Sequence, residues 1–371
     1  MNFRPRRAAA LGALCALALL VSACGGNSDK GGGAPSANRT QPSLTFAGPN
    51  GESPTAADQL NLTPEEIGKI KAGTYTAAFV WHEDSALVKA VEAGARKQFE
   101  KLGIKVLATT SADFDAAKQA NNVQTVLAQN PSVIVTIAVD PTSAAAAFKP
   151  AVDKGTKLVV MTTPPKGYKA GQQIVGIVTM DLTAMGKLNA EMLGKAMGGK
   201  GKVGYLYHDA DFWFTNQRDK AFKNWLGYLY PDIKIVAEQG FSDPARTEDI
   251  ANAMLTQNPD LNGVYVAWAT AADGVLAALR QQGRKDVKVV TNDLEANQAA
   301  DLVKGGNMAG MVNNGSVRVG EGLATMAGYG LIGKQAPAMV VGTPKAATKD
   351  TVADAWRDDY NQDPPASVLG K

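Results

Sequence analysis

Short, nearly unbroken apolar runs alternate along the chain with longer stretches in which apolar residues recur every three or four positions. A strand buried on both faces requires the first pattern, and the second marks one face of a helix. The runs predict strands over residues 77–81, 106–109, 133–138, 158–161, 174–178 and 203–207, then 233–237, 263–267, 287–291, 309–313 and 338–341. Helices are predicted over residues 85–102, 116–129, 143–153, 184–197, 247–256, 272–281, 296–303 and 317–332. In the first of these, Leu87, Val91, Ala95 and Phe99 share a face, Lys89, Glu92, Arg96 and Glu100 lie elsewhere, and Gly103 closes the helix. Two more helix starts carry capping signals. One is Thr63-Pro64-Glu65-Glu66, with Pro64 at the first position and Glu66 placed to complete a capping box. The other follows Thr215 or Asn216, with Arg218 in its first turn.

Strand-helix alternation of this length implies parallel sheets flanked by helices. Roughly 300 patterned residues exceed one core of usual size, so two α/β domains are the natural division.

The amino-terminal end has a different composition. Arg4, Arg6 and Arg7 precede an uncharged run rich in Ala and Leu, too short to span a membrane, which ends in Leu20-Val21-Ser22-Ala23-Cys24. The expectation is a signal peptide over residues 1–23 and a lipobox whose Cys24 becomes the lipidated first residue, anchoring the exported protein to the outer face of the cell membrane. Residues 24–60 are expected to form a flexible tether, since Gly, Ser, Asn and Pro dominate most of that stretch. The three leader arginines account for the whole net charge of +3. The neutral remainder has no general attraction for nucleic acid. Cys15 leaves with the leader and Cys24 carries lipid, so no thiol remains for a disulfide, a zinc site or a nucleophile.

The ends of the predicted strands collect polar and aromatic residues: Trp81-His82-Glu83-Asp84-Ser85, Val139-Asp140, Thr162-Thr163, Met180-Asp181, His208-Asp209-Ala210-Asp211 before Phe212-Trp213-Phe214, Trp268, Asn292-Asp293 and Asn313-Asn314. In parallel α/β sheets these corners share one side, where ligands bind.

From about Thr74 onward the chain resembles the type I periplasmic binding proteins of sugar ABC transporters, the ribose- and galactose-binding group. The resemblance rests on Pro131-Ser132-Val133-Ile134, Met180-Asp181, Asn216-Gln217-Arg218 with Phe222, Asn258-Pro259-Asp260, Val289-Val290-Thr291-Asn292-Asp293 and the stretch from Asn314 to Gly320. It implies two Rossmann-like lobes joined by three hinge crossovers near Asp181, Asn314 and Gly342, with residues 61–180 and 314–341 in one lobe and 181–313 and 342–371 in the other. It assigns ligand contacts to Trp81, Ser85, Arg218, Asp293 and Asn314. His82, Asp140, Thr163, Asp181, Phe212, Trp213 and Trp268 complete the candidate set from the same corners. Two departures stand out. Thr163-Pro164 replaces an Asp-Arg pair common in the family, and Trp268-Ala269 replaces a polar Asn-Asp pair. A charged clamp is gone and an aromatic wall is expected, unless Trp268 turns into the lobe core.

The function expected is capture of a sugar, polyol or glycoside by a monomeric extracytoplasmic lipoprotein that delivers it to ABC permease subunits, with no cofactor. A sensor that presents ligand to a signalling receptor is the alternative. An enzyme is disfavoured: the chain has two histidines and neither Gly-x-Ser-x-Gly nor a P-loop. Gly328-Tyr329-Gly330-Leu331-Ile332-Gly333 fits Gly-x-Gly-x-x-Gly but lies in a helical stretch, where it reads as close packing. A metal held by His82 and His208 with Asp84 or Asp209 is a weaker alternative than none.

Overall fold

The computed structural model describes residues 40–43 and 46–371. The expected signal peptide and Cys24 lie outside the described residues. Two sheets organise the fold. The first contains β1 (Pro54–Ala56), β2 (Thr76–Trp81), β3 (Lys105–Ser111), β4 (Val133–Thr136), β5 (Lys157–Met161), β6 (Ile177–Met180) and β12 (Met339–Gly342), in the order β1-β12-β6-β5-β4-β2-β3 and parallel throughout. The second contains β7 (Lys200–His208), β8 (Asp232–Phe241), β9 (Gly263–Val266), β10 (Lys288–Asn292), β11 (Met308–Asn313) and β13 (Lys345–Ala347), in the order β13-β11-β10-β9-β7-β8. Only β13 runs antiparallel to its neighbour. The central strands are buried along their length, as their continuous apolar runs require.

Helices start where side-chain acceptors stand ready. Thr63 and Glu66 form the expected capping box at α1 (Pro64–Lys71). Ser85, Asp115, Asp140 and Asp181 cap α2 (Ala86–Lys101), α3 (Ala116–Leu127), α4 (Pro141–Asp153) and α5 (Leu182–Ala196). In the second lobe follow α6 (Trp213–Leu229), α7 (Thr247–Gln257), α8 (Ala269–Gln281) and α9 (Ala296–Val303). Helix α10 (Ser316–Leu331) returns to the first lobe and α11 (Val352–Tyr360) ends the second. Helix α10 lies against α2 at very short range: a Cβ on Gly320 would sit 1.8 Å from the Val91 carbonyl, and one on Gly94 2.0 Å from that of Val317. The glycine-rich run from Gly328 serves packing as well, since a Cβ there would press on Ile70 and Leu62 at 2.9 Å.

The chain passes between the sheets three times: from β6 through Asp181 to α5, from β11 through Asn314 to α10, and from β12 to β13. The Asp181 amide donates to Gly342 O at 3.1 Å, tying the first crossover to the third. Gly315 takes φ 65° at the second, a conformation suited to glycine, and its amide donates to Asn313 Oδ1.

Three elements differ from expectation. The stretch 46–60 is docked, with Phe46 and Leu60 buried and β1 paired to β12, so the tether as expected through residue 60 ends earlier. Its Pro-rich composition hides a three-residue edge strand, the place where a proline is tolerated. Helix α6 begins at Trp213, before the expected caps, and Phe212 at its N-cap makes no side-chain capping bond. Residues 342–371, expected in the second lobe but with no element predicted in them, form β13 and α11.

Candidate functional site

Corners of both sheets converge on one small cavity. From the first lobe come His82 and Glu83 after β2 and Phe114 after β3; from the second come His208 at the end of β7, Phe212 at the N-cap of α6, Arg218 within α6, Trp268 after β9 and Asp293 after β10. Phe114 is the central contact. It stands 5.1 Å from His82, 6.3 Å from Phe212 and 6.2 Å from Trp268, whose ring is 29° from parallel with its own. Asp113 and Phe114 hold φ of 49° and 59°, and the Phe114 amide donates to His82 O at 2.7 Å. Left-handed backbone at a bulky residue costs about 1–3 kcal/mol and persists only where its surroundings impose it.

Arg218 is fully buried. Its Nη2 donates to Ala267 O, and its guanidinium lies 4.9 Å from the Phe214 ring centre. Nε sits 3.7 Å from Asp219 Oδ1, beyond a hydrogen bond, and both Nε and Nη1 are without acceptors. A polar network holds this arginine from behind. Asp219 accepts from Tyr265 OH at 2.6 Å and from the His208 amide at 3.2 Å, while Asn292 donates to Ala267 O and accepts from Asn189. Burial pushes the Asp219 carboxyl above its ordinary value, opposed by the charge of Arg218. Asp293, also raised by burial, holds φ 69° and accepts from Asn314 Nδ2 at 2.6 Å.

Both histidines are neutral. Burial takes His82 down to about 3, with His208 adding to the effect, and takes His208 down to about 4, with Arg218 adding. His208 Nδ1 pairs with Thr215 Oγ1 at 2.9 Å, and His82 Nδ1 has no partner. The metal alternative finds no support: among the described residues no group of three His, Cys, Asp or Glu side chains could hold an ion. Asp84 is paired with Lys89 at 3.0 Å.

Of the expected contacts, His82, Phe212, Arg218, Trp268 and Asp293 line the cavity. Trp268 does two things at once. Its ring packs on Phe241 at 4.8 Å within the second lobe's core, faces Phe114 across the cleft, and leaves Nε1 unpaired. Asn314 stands behind Asp293. The others point elsewhere. Trp81 shares its strand face with Phe79, stacks on it at 5.3 Å and donates to Glu92, as period-two alternation dictates. Ser85, Asp140 and Asp181 are occupied as helix caps. Thr163 is buried beside Thr162, and Trp213 packs on Phe46. Missing from the expected set were Glu83, His208, Phe214 and above all Phe114. Its lone ring in the polar corner Ala112-Asp113-Phe114-Asp115 was a usable signal.

A larger groove of about 610 Å³ runs along the hinge, lined by Asn61, Gln98, Thr179, Asn314 and Thr343 among others. The cleft has only about 30 Å³ free. Three residues lining the cleft, Arg218, Trp268 and His82, together carry four buried, unpartnered nitrogens, and such groups stay unpaired at a cost.

Residues 77–335 match the periplasmic binding protein domain family, and the chain belongs to it. Among curated relatives, the xylitol-binding protein of Mycolicibacterium smegmatis is 26% identical over 59% of this chain and 62% of its own length. The D-apiose import binding protein of Actinobacillus succinogenes is 29% identical over 61% and 71%. A solved ABC transporter solute-binding protein from Agrobacterium vitis, bound with α-D-tagatopyranose, shares the fold with TM-score 0.71 and 22% identity, covering 78% of this chain and all of that one. The chain is thus a type I binding protein, not an enzyme, and its family is extracytoplasmic. Among the described residues no helix is long and apolar enough to cross a membrane.

Proposed function

We propose that the protein captures a sugar or polyol between its two lobes and hands it to the permease of an ABC importer. The carrying observation is Arg218, a buried cation that lines the cleft and has two nitrogens, Nε and Nη1, without a hydrogen-bond acceptor. A polyhydroxylated ligand supplies acceptors to that fork, donates hydroxyls to Asp293, and lays its C–H surface on Phe114 and Trp268. Ligand pockets of this kind hold about 300–1,000 Å³, so entry requires the lobes to part and capture ends with their closure. The names of the xylitol and apiose relatives support a small polyol or pentose, and the import function in the second name supports a permease as recipient.

Anchoring through lipid on Cys24 belongs to the same reading. Cys24→Ser is expected to release the protein from the membrane fraction into the medium, and a variant as firmly membrane-bound as the parent contradicts the anchor. One chain supplies both walls of the cleft, which supports a working monomer, to be checked by light scattering. A thermal-shift screen of xylitol, D-apiose, D-ribose, D-allose, D-tagatose and myo-inositol tests the ligand class. A ligand present at 100 times its Kd contributes about 2.7 kcal/mol to the folded state. No shift with any polyol or sugar overturns the assignment.

A further inference from the structure

The docked stretch upstream of β1 brings an aromatic side chain to the opposite lobe. The segment is fixed to the first lobe: β1 pairs with β12, Gly48 and Glu52 close a turn, and Asn50 Nδ2 donates to Tyr168 O at 3.2 Å in the loop after β5. From there Phe46 reaches Trp213, the first residue of α6 in the second lobe, with ring centres 5.7 Å apart and planes 46° from parallel. Phe46 is only 6% exposed although it lies in a polar stretch. Trp213 sits between Phe212 and Phe214, both of which line the cleft. Trp213 itself does not line it, so its ring is spent on Phe46.

We propose that Phe46 is a positioning residue for ligand capture: a clasp from the amino-terminal segment that grips Trp213 when the lobes meet and holds the Phe212–Phe214 corner against the cleft. The inference rests on the cleft reading above. Its physical content is differential contact. Phe46 belongs to one lobe and Trp213 to the other, so separating the lobes exposes both rings. The contact therefore favours the closed state by whatever the buried aromatic pair contributes. Apparent affinity scales with the population of the binding-competent state. Loss of the clasp raises Kd and speeds release while leaving the groups that touch ligand unchanged, and the effect falls on koff more than on kon.

The test uses the full-length chain and three variants: Phe46→Ala, Trp213→Ala and the double substitution. Small-angle scattering of the ligand-free proteins is read first. Each single variant is expected to show a larger radius of gyration than the parent, and the double variant no further increase. Xylitol binding by calorimetry and stopped-flow is read second, with about tenfold weaker affinity expected, equivalent to about 1.4 kcal/mol, carried by faster release. Phe46→Tyr, which keeps the ring, should restore most of the affinity. If Phe46→Ala does not fold, Trp213→Ala removes the same contact from a half-buried position. Unchanged radii, or additive losses in the double variant, overturn the clasp. A parent protein that binds no xylitol or other polyol counts against the cleft reading instead, and the ligand-free scattering still decides the role of Phe46.

Discussion

Arg218→Met separates the charge of the site from its packing. Methionine keeps an apolar stem against Phe214 and removes the fork that donates to Ala267 O and leaves Nε and Nη1 without acceptors. Losing one side of a buried charge-assisted contact typically costs about 2–5 kcal/mol of binding, a factor of at least about 30 in Kd. Stability responds differently. Asp219 loses its neighbouring cation but keeps the Tyr265 hydroxyl and the His208 amide as donors. Stranding a buried charge costs about 3–5 kcal/mol when the partner cannot neutralise. Here burial already raises the Asp219 carboxyl, and without the opposing charge of Arg218 it rises further. The variant's stability deficit should therefore be largest near neutral pH and shrink as pH falls, whereas its binding deficit should persist at every pH. Calorimetry with the tightest screened ligand and urea unfolding at pH 5 and pH 7.5 give both numbers. Affinity within twofold of the parent would remove Arg218 from the site.

Three further outcomes follow from the same geometry. Trp268→Ala should cost about 3–5 kcal/mol of stability by opening the core beside Phe241, and a further 0.5–1.5 kcal/mol or so of affinity through its face on the cleft, read by unfolding and calorimetry; loss of one without the other would show that the ring serves a single role. Gly94→Ala and Gly320→Ala each force α2 and α10 apart and should lower stability by about 1–3 kcal/mol or more in urea melts, and a melt like the parent's would show that the crossing relaxes freely. Burial raises Glu83 and Glu295 to about 7 and Asp359 to about 6. Carboxyls raised on folding favour the folded state most below their unfolded values and lose that contribution as pH climbs through the raised ones, so the melting temperature should fall between about pH 5 and pH 8. Glu83→Gln should flatten that slope, and a slope identical to the parent's would exclude Glu83 as a source.

The alternation of apolar runs and amphipathic stretches carried the layered fold because each central strand is buried on both faces and says so in its composition. It missed β1 and β13, where three-residue edge strands owe their pairing to neighbours and bury little of their own. Corner positions were legible as a group, since strand ends must fall on one side of a parallel sheet. Which corner side chains turn inward was not. Ser85, Asp140 and Asp181 have the chemistry of ligand contacts and the geometry of helix caps, and capping prevailed because each stands directly before an unsatisfied helix N-terminus. Trp81 and His82 differ by one residue and therefore by one face of the strand, which placed one on Phe79 and the other in the cleft. Phe114 depends on two consecutive left-handed residues, a backbone choice that a phenylalanine disfavours.

The assignment of function stands on the cleft that Arg218, Asp293, Phe114 and Trp268 share, and a crystal structure with the tightest ligand from the polyol and sugar screen tests it most directly. The ligand is expected between the Phe114 and Trp268 rings, its oxygens within hydrogen-bond distance of Arg218 Nε and Nη1 and of the Asp293 carboxylate. A ligand seated in the hinge groove beside Thr179 and Thr343, with the Arg218 nitrogens still unpaired, would contradict it.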